Sequence, residues 1–238
     1  MRLSLPGLIL LAAVLAAAVT GCASGSTATP DGASSSGAPT PGAASPDANL
    51  PTGTQLRAVL APKSYFPAGY AQNARTTADS QDSYRTQTTP APAKPDCAQL
   101  GSTGWFTIPG VNAVSFAQTS YVDKGATAEL DQEVFAFAGT GAATELANVG
   151  KLGSQCPGYT DPASHTKVKV AEHATSGLGD GAYTITLTDP GWLTGSTLEA
   201  VRVGSVDIFV YSTSGPGNGA AAATKLATYL IGKVTALR

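Results

Sequence analysis

Apolar and polar positions along the second half of the chain repeat at two periods. Residues 111–123 carry Val114, Phe116, Ser120 and Val122 at even positions, and 128–138 carry Leu130, Val134 and Ala136 on one face. A period of two marks a strand, because successive side chains leave opposite faces. Glu129, Asp131 and Glu133 hold the second face of 128–138 until Phe135 and Phe137 take it over. Asp123-Lys124-Gly125-Ala126 between the two segments predicts a hairpin turn. Val168 and Val170 alternate with Lys167 and Lys169, and Tyr183, Ile185 and Leu187 alternate with threonines. Two more strands, 196–203 and 205–213, meet at Gly204-Ser205.

The other period is helical. Leu146, Val149, Gly153 and Cys156 mark one face of a single helix from Thr140 to about Gln155, stopped by Cys156-Pro157-Gly158. Gly219–Leu237 reads as an amphipathic helix with Leu226, Tyr229, Leu230, Val234 and Leu237 on one side. Near the start, Thr54 caps a short helix carrying Leu56, Val59 and Leu60, which Pro62 ends. Residues 71–95 are polar and read as a long loop with at most one short strand, and Asp96 caps a short helix through Cys97 and Leu100. Strands joined by tight turns imply antiparallel pairing. The expected class is α+β: an antiparallel sheet of about five or six strands, with helices packed mainly on one face.

The first fifty residues follow neither period. Arg2 precedes an uninterrupted apolar run, Leu8 to Val19. Its twelve residues rise roughly 18 Å as a helix, short of a bilayer core of roughly 30 Å, so residues 1–21 read as a signal peptide. The run ends in Val19-Thr20-Gly21-Cys22, which resembles the lipobox of bacterial lipoproteins, with Val in place of the usual Leu. Cys22 is the expected site of lipidation. The anchor would place the protein on the extracytoplasmic face of the cell membrane. An ordinary secretory signal with a chance Cys is the alternative. Residues 22–53 are rich in Ser, Gly, Ala and Pro. Such a segment buries too little surface to offset chain entropy, and a disordered tether is expected. The folded domain is then 54–238.

Composition narrows the function classes. With 14 Lys and Arg against 16 Asp and Glu, the chain has no electrostatic footprint for nucleic acid. Two cysteines remain beside Cys22 in a chain expected in an oxidising compartment, so Cys97 and Cys156 are read as a disulfide. Its loop of about sixty residues would be worth about 4 kcal/mol in the chain-entropy picture. Two free thiols are the alternative.

The search for catalytic chemistry is nearly empty. His165 and His173 flank one predicted strand, and the chain lacks a G-x-S-x-G elbow, a Walker loop, a Rossmann fingerprint and H-E-x-x-H. No enzyme and no cofactor are expected. Glu129, Asp131 and Glu133 are weighed as a cation site against an ordinary charged solvent face, and the latter is preferred. Gly177-Leu178-Gly179-Asp180-Gly181 lacks the following helix of a phosphate cradle and reads as a tight connection. Tyr65, Phe66, Trp105 and Trp192 lie in turn-rich segments. Such aromatics plug the ends of a small core or line a pocket, and these four are the candidate ligand surface.

The stretches DCAQLGSTGW, VSFAQTSYVD, EVFAFAGTGAATELANVGKLGSQC, GLGDGAYTITLTDP and LEAVRVGSVDIFVYS together resemble a family of actinobacterial exported domains. It is the sensor-like extracellular domain of PknH-type serine/threonine kinases, which also occurs as free-standing lipoproteins. The resemblance covers about residues 54–238. It implies an antiparallel sheet with helices and a cleft for an unknown small ligand. Cys97 and Cys156 would match one family disulfide; the second disulfide of the kinase-linked members is missing here. The expected function is a membrane-anchored lipoprotein with a sensor-like domain that binds a small ligand or a cell-envelope component. The alternative is a protein-interaction or structural envelope lipoprotein with no small-molecule ligand.

Overall fold

The computed structural model describes residues 49–88, 94–102 and 104–238. Cys22, the expected signal peptide 1–21 and most of the expected tether lie outside the described residues. Residues 50–53, read from the sequence as the end of the tether, belong to the fold. Leu50 is buried and its carbonyl accepts the Tyr84 hydroxyl, while Ser115 Oγ donates to the Pro51 carbonyl at 2.6 Å.

Eight strands form one sheet: β1 (Tyr70–Asp79), β2 (Ser115–Asp123), β3 (Glu129–Ala136), β4 (Gly158–Thr160), β5 (Lys167–Ala174), β6 (Gly181–Thr188), β7 (Ser196–Val203) and β8 (Val206–Ser212). Their order is β1-β2-β3-β8-β7-β6-β5-β4, and every neighbouring pair is antiparallel. Two meanders thus meet where β3 lies against β8. Among the described residues, four α-helices accompany them: α1 (Gly53–Val59), α2 (Gly141–Val149), α3 (Leu152–Gln155) and α4 (Ala220–Thr235). The class is α+β with an antiparallel sheet.

The strand count and the layering differ from the sequence reading. β1 gives no sequence signal because its side chains are mostly polar and none is fully buried; an edge strand is held by backbone ladders and needs no apolar face. β4 has only three residues. The helices cover both faces rather than mainly one. α1 and α4 pack with Val134, Ile208 and Val210. α2 and α3 pack on the opposite face, with Phe135, Phe209 and Leu198. The reason lies in the central strands. β3 and β8 alternate between the two clusters, with Val134, Ala136, Ile208 and Val210 on one side and Phe135, Phe137, Phe209 and Tyr211 on the other. A strand apolar on both sides must be covered on both sides.

The helix expected over 140–155 is two pieces. Gly150 closes α2 where a Cβ would run into the ring of Tyr183, and α3 restarts after Lys151. The break lets the chain cross the sheet from the centre to its far edge: α2 lies over β8, β7 and β6, α3 over β5, and β4 follows. The cap of α1 is Thr52 rather than Thr54, in a reciprocal box with Gln55. Cys97 and Cys156 form a disulfide, with Cα atoms 5.6 Å apart, joining the 3-10 turn Cys97–Gly101 to the end of α3. The glycine-rich 177–181 segment is the tight β5–β6 connection. Gly179 has φ +53, and a Cβ there would meet the Arg202 carbonyl. Among the described residues, no helix is long and apolar enough to cross a membrane.

Candidate functional site

The α2 face of the sheet holds a cavity of about 420 Å³, within the roughly 300–1,000 Å³ of small-molecule sites. Five of the chain's six phenylalanines line it: Phe106, Phe116, Phe135, Phe137 and Phe209. Three come from adjacent strands. Phe116 lies directly across from Phe135 in the β2–β3 ladder, with their rings stacked at 5.9 Å. Phe209 on β8 meets Phe135 edge-on at 5.7 Å. Phe106 comes down from a 3-10 turn, Trp105–Thr107, and lies 4.6 Å from Phe135. Tilted and edge-to-face contacts are the favoured aromatic geometries, so the wall holds its own shape.

Two charged side chains, Glu145 and Arg85, share this lining, beside the uncharged polar Thr86, Thr107 and Asn112. Glu145 sits in the buried stripe of α2 with Ala142, Leu146 and Val149. Its Oε2 accepts the Val111 backbone N–H at 3.0 Å. The reach depends on Gly110, whose φ of +87 turns the strap toward the helix. Asn148 Nδ2 ties the same strap to α2 by donating to the Pro109 carbonyl at 3.0 Å. Burial pushes the Glu145 carboxyl up to about 8, and the single bond from Val111 opposes that only in part. The group is therefore a neutral acid at neutral pH.

Arg85 stands at the exposed rim, its guanidinium carbon 4.5 Å from the centroid of the Phe116 ring. Its backbone N–H donates to the Val114 carbonyl at 2.7 Å, which fixes the 84–88 segment beside β2. Gln87 secures that segment further: its Oε1 accepts the Ala138 N–H at 2.7 Å, and its Nε2 donates to the Ala138 carbonyl at 3.2 Å. Among the described residues no carboxylate pairs with Arg85.

The four aromatics proposed from the sequence are not brought together. Tyr65 and Phe66 lie on the α1/α4 face, where Phe66 stacks on Tyr121 at 3.8 Å and Tyr65 contacts Tyr229 at 4.9 Å. Trp105 and Trp192 are on the opposite face. Trp105 is 1% exposed and braces the cavity wall from behind, edge-on to Phe209 at 5.0 Å. Trp192 is half-buried and its Nε1 donates to Asp161 at 3.1 Å, tying the β6–β7 loop to the β4–β5 turn. All four serve as plugs rather than as one ligand surface.

The acidic row is also corrected. Asp131 and Glu133 do not form a solvent face; they are 2% and 3% exposed, on the same face as Phe135. Burial first, then the neighbouring acid, raises both well above the usual carboxylate range. Asp207, across from Phe135 on β8, is raised the same way by burial and by the nearby Glu145. Among the described residues no group of three His, Cys, Asp or Glu is placed to hold a metal. His165 is an exposed turn residue with φ +59, His173 is exposed on β5, and neither lines the cavity.

The sequence reading did not single out Arg85 or Glu145. For Glu145 a signal existed: it falls at i+3 from Ala142, between the apolar positions that face the sheet. A carboxylate inside an apolar stripe is a marker of a functional pocket. No family model matches the chain, and no curated protein matches it.

Proposed function

We propose that this chain is a membrane-anchored extracytoplasmic lipoprotein whose sensor-like domain captures a small ligand in the phenylalanine-lined cavity. The lipobox ending at Cys22 and the short apolar run before it support the anchor. The resemblance to PknH-type sensor domains supports a ligand-binding role. The observation that carries the reading is the cavity itself: about 420 Å³, walled by five phenylalanines, with a cation at its rim that no carboxylate pairs among the described residues and one neutral acid inside. A domain that used these rings only as core would have closed the space, since interiors pack to crystal-like density.

A thermal-shift panel on the intact chain tests the binding half. Envelope lipids, glycans, peptidoglycan fragments and small aromatic acids are the compounds. A true ligand at a hundred times its Kd is expected to stabilise by about 2.7 kcal/mol. No stabilisation by any class contradicts the reading. Mass spectrometry of the mature N-terminus tests the anchor: an acylated Cys22 is expected, and an unmodified Cys22 contradicts it.

A further inference from the structure

We infer that the cavity selects a small molecule with an aromatic body and a single negative charge. The inference rests on the cavity being a ligand site, and adds what that ligand must be.

The body is specified by the walls. The inner lining is Phe135, Phe137 and Phe209, all buried, with Phe106 above them. A flat ring offers edges and faces to such a wall in the geometries aromatic pairs prefer, beyond what area burial alone supplies.

The charge is specified by the rim. The Arg85 guanidinium carbon lies over the Phe116 ring, 4.5 Å from its centroid. Among the described residues no carboxylate pairs with the guanidinium N–H fork, which suits carboxylates and phosphates. Stacking also restricts the side chain, so less freedom is lost when an anion binds. The opposing group, Glu145, carries no charge at neutral pH and so does not cancel the cation. A cationic ligand would meet Arg85 at the entrance and find no ionised partner within. A neutral ligand would give the fork no charged acceptor.

The test is isothermal titration of the intact chain with three probes of one shape: 4-phenylbutyrate, 4-phenylbutanol and 4-phenylbutylamine. The acid is expected to bind about tenfold more tightly than the alcohol, the scale of a hydrogen bond to a charged group, with the amine weakest. Arg85→Gln is expected to bring acid and alcohol within about twofold, chiefly by weakening the acid. Arg85 is exposed, so the variant keeps its fold. Alcohol binding as tightly as acid, or an acid preference that survives Arg85→Gln, overturns the charge assignment and leaves the cavity reading standing. Failure of all three probes to bind overturns both.

Discussion

Glu145 is the residue on which the pH behaviour of this protein turns. Its carboxyl ionises near 4.5 in an unfolded chain and near 8 in the fold. Between those values the unfolded state binds fewer protons than the native state, so stability falls as pH rises. Asp131, Glu133 and Asp207, all raised by burial, push in the same direction. Asp123 and Asp180 are lowered by backbone hydrogen bonds and act only in acid, below 3.8. The groups facing Glu145 are Asp207 on β8, with Arg202 beside it on β7, and Arg85 across the cavity. The melting temperature is therefore expected to drop between about pH 5 and pH 8. Glu145→Gln is expected to shrink that drop, because an amide oxygen still accepts from Val111 and cannot ionise. A melting temperature that is flat or rises over this range contradicts the assignment. At this scale the sequence was legible only in part. Phe135 and Phe137 were visible as a change of character on one strand face, but their partners Phe116, Phe209 and Phe106 come from three other segments. No spacing along a chain joins residues whose meeting depends on the order β2-β3-β8.

Among the elements, the strap and its disulfide shape the site. The segment runs from Cys97 through Trp105 and Phe106 to Val111 and Asn112, and its attachments include the Cys97–Cys156 bond, the Val111–Glu145 and Asn148–Pro109 hydrogen bonds, and the bonds of Asn112 to Thr88. Replacing Cys97 and Cys156 together by Ser removes a 59-residue constraint, with an expected loss of about 4 kcal/mol in urea unfolding. A loss below about 1 kcal/mol would mean that these hydrogen bonds and the buried Trp105 hold the strap without the covalent link. Most elements were legible from periodicity, because β2, β3, β6, β7, β8 and α4 each have a buried face at the right spacing. β1 was not, since its ladder to β2 is a backbone matter, and its bulge between Asn73 and Ala78 is filled by threonine hydroxyls. The break between α2 and α3 was not either, because it depends on Tyr183, more than thirty residues downstream.

At the scale of the whole molecule, the two-sided sheet decides what each face does. The α1/α4 face is packed by Leu226, Leu230 and Val234 against β7 and β8 and carries the plug formed by Tyr65 and Phe66, with a smaller pocket of about 280 Å³ beside α1, β1 and β2. The α2 face is covered by short helices and a strap, and there the packing leaves a space. The expectation of helices mainly on one face erred because the shift to Phe135 and Phe137 on the second face of β3, and the apolar run VDIFVYS of β8, require a cover on that side too. Whether that space is a receptor site is tested most directly by repeating the thermal-shift panel on Ala113→Trp. Ala113 is half-buried in the cavity lining, and an indole there occupies the entrance. Any compound that stabilises the wild-type chain is expected to leave the variant unshifted, with the variant's own unfolding transition intact. Equal stabilisation of both proteins would place the ligand elsewhere and contradict the assignment of the cavity.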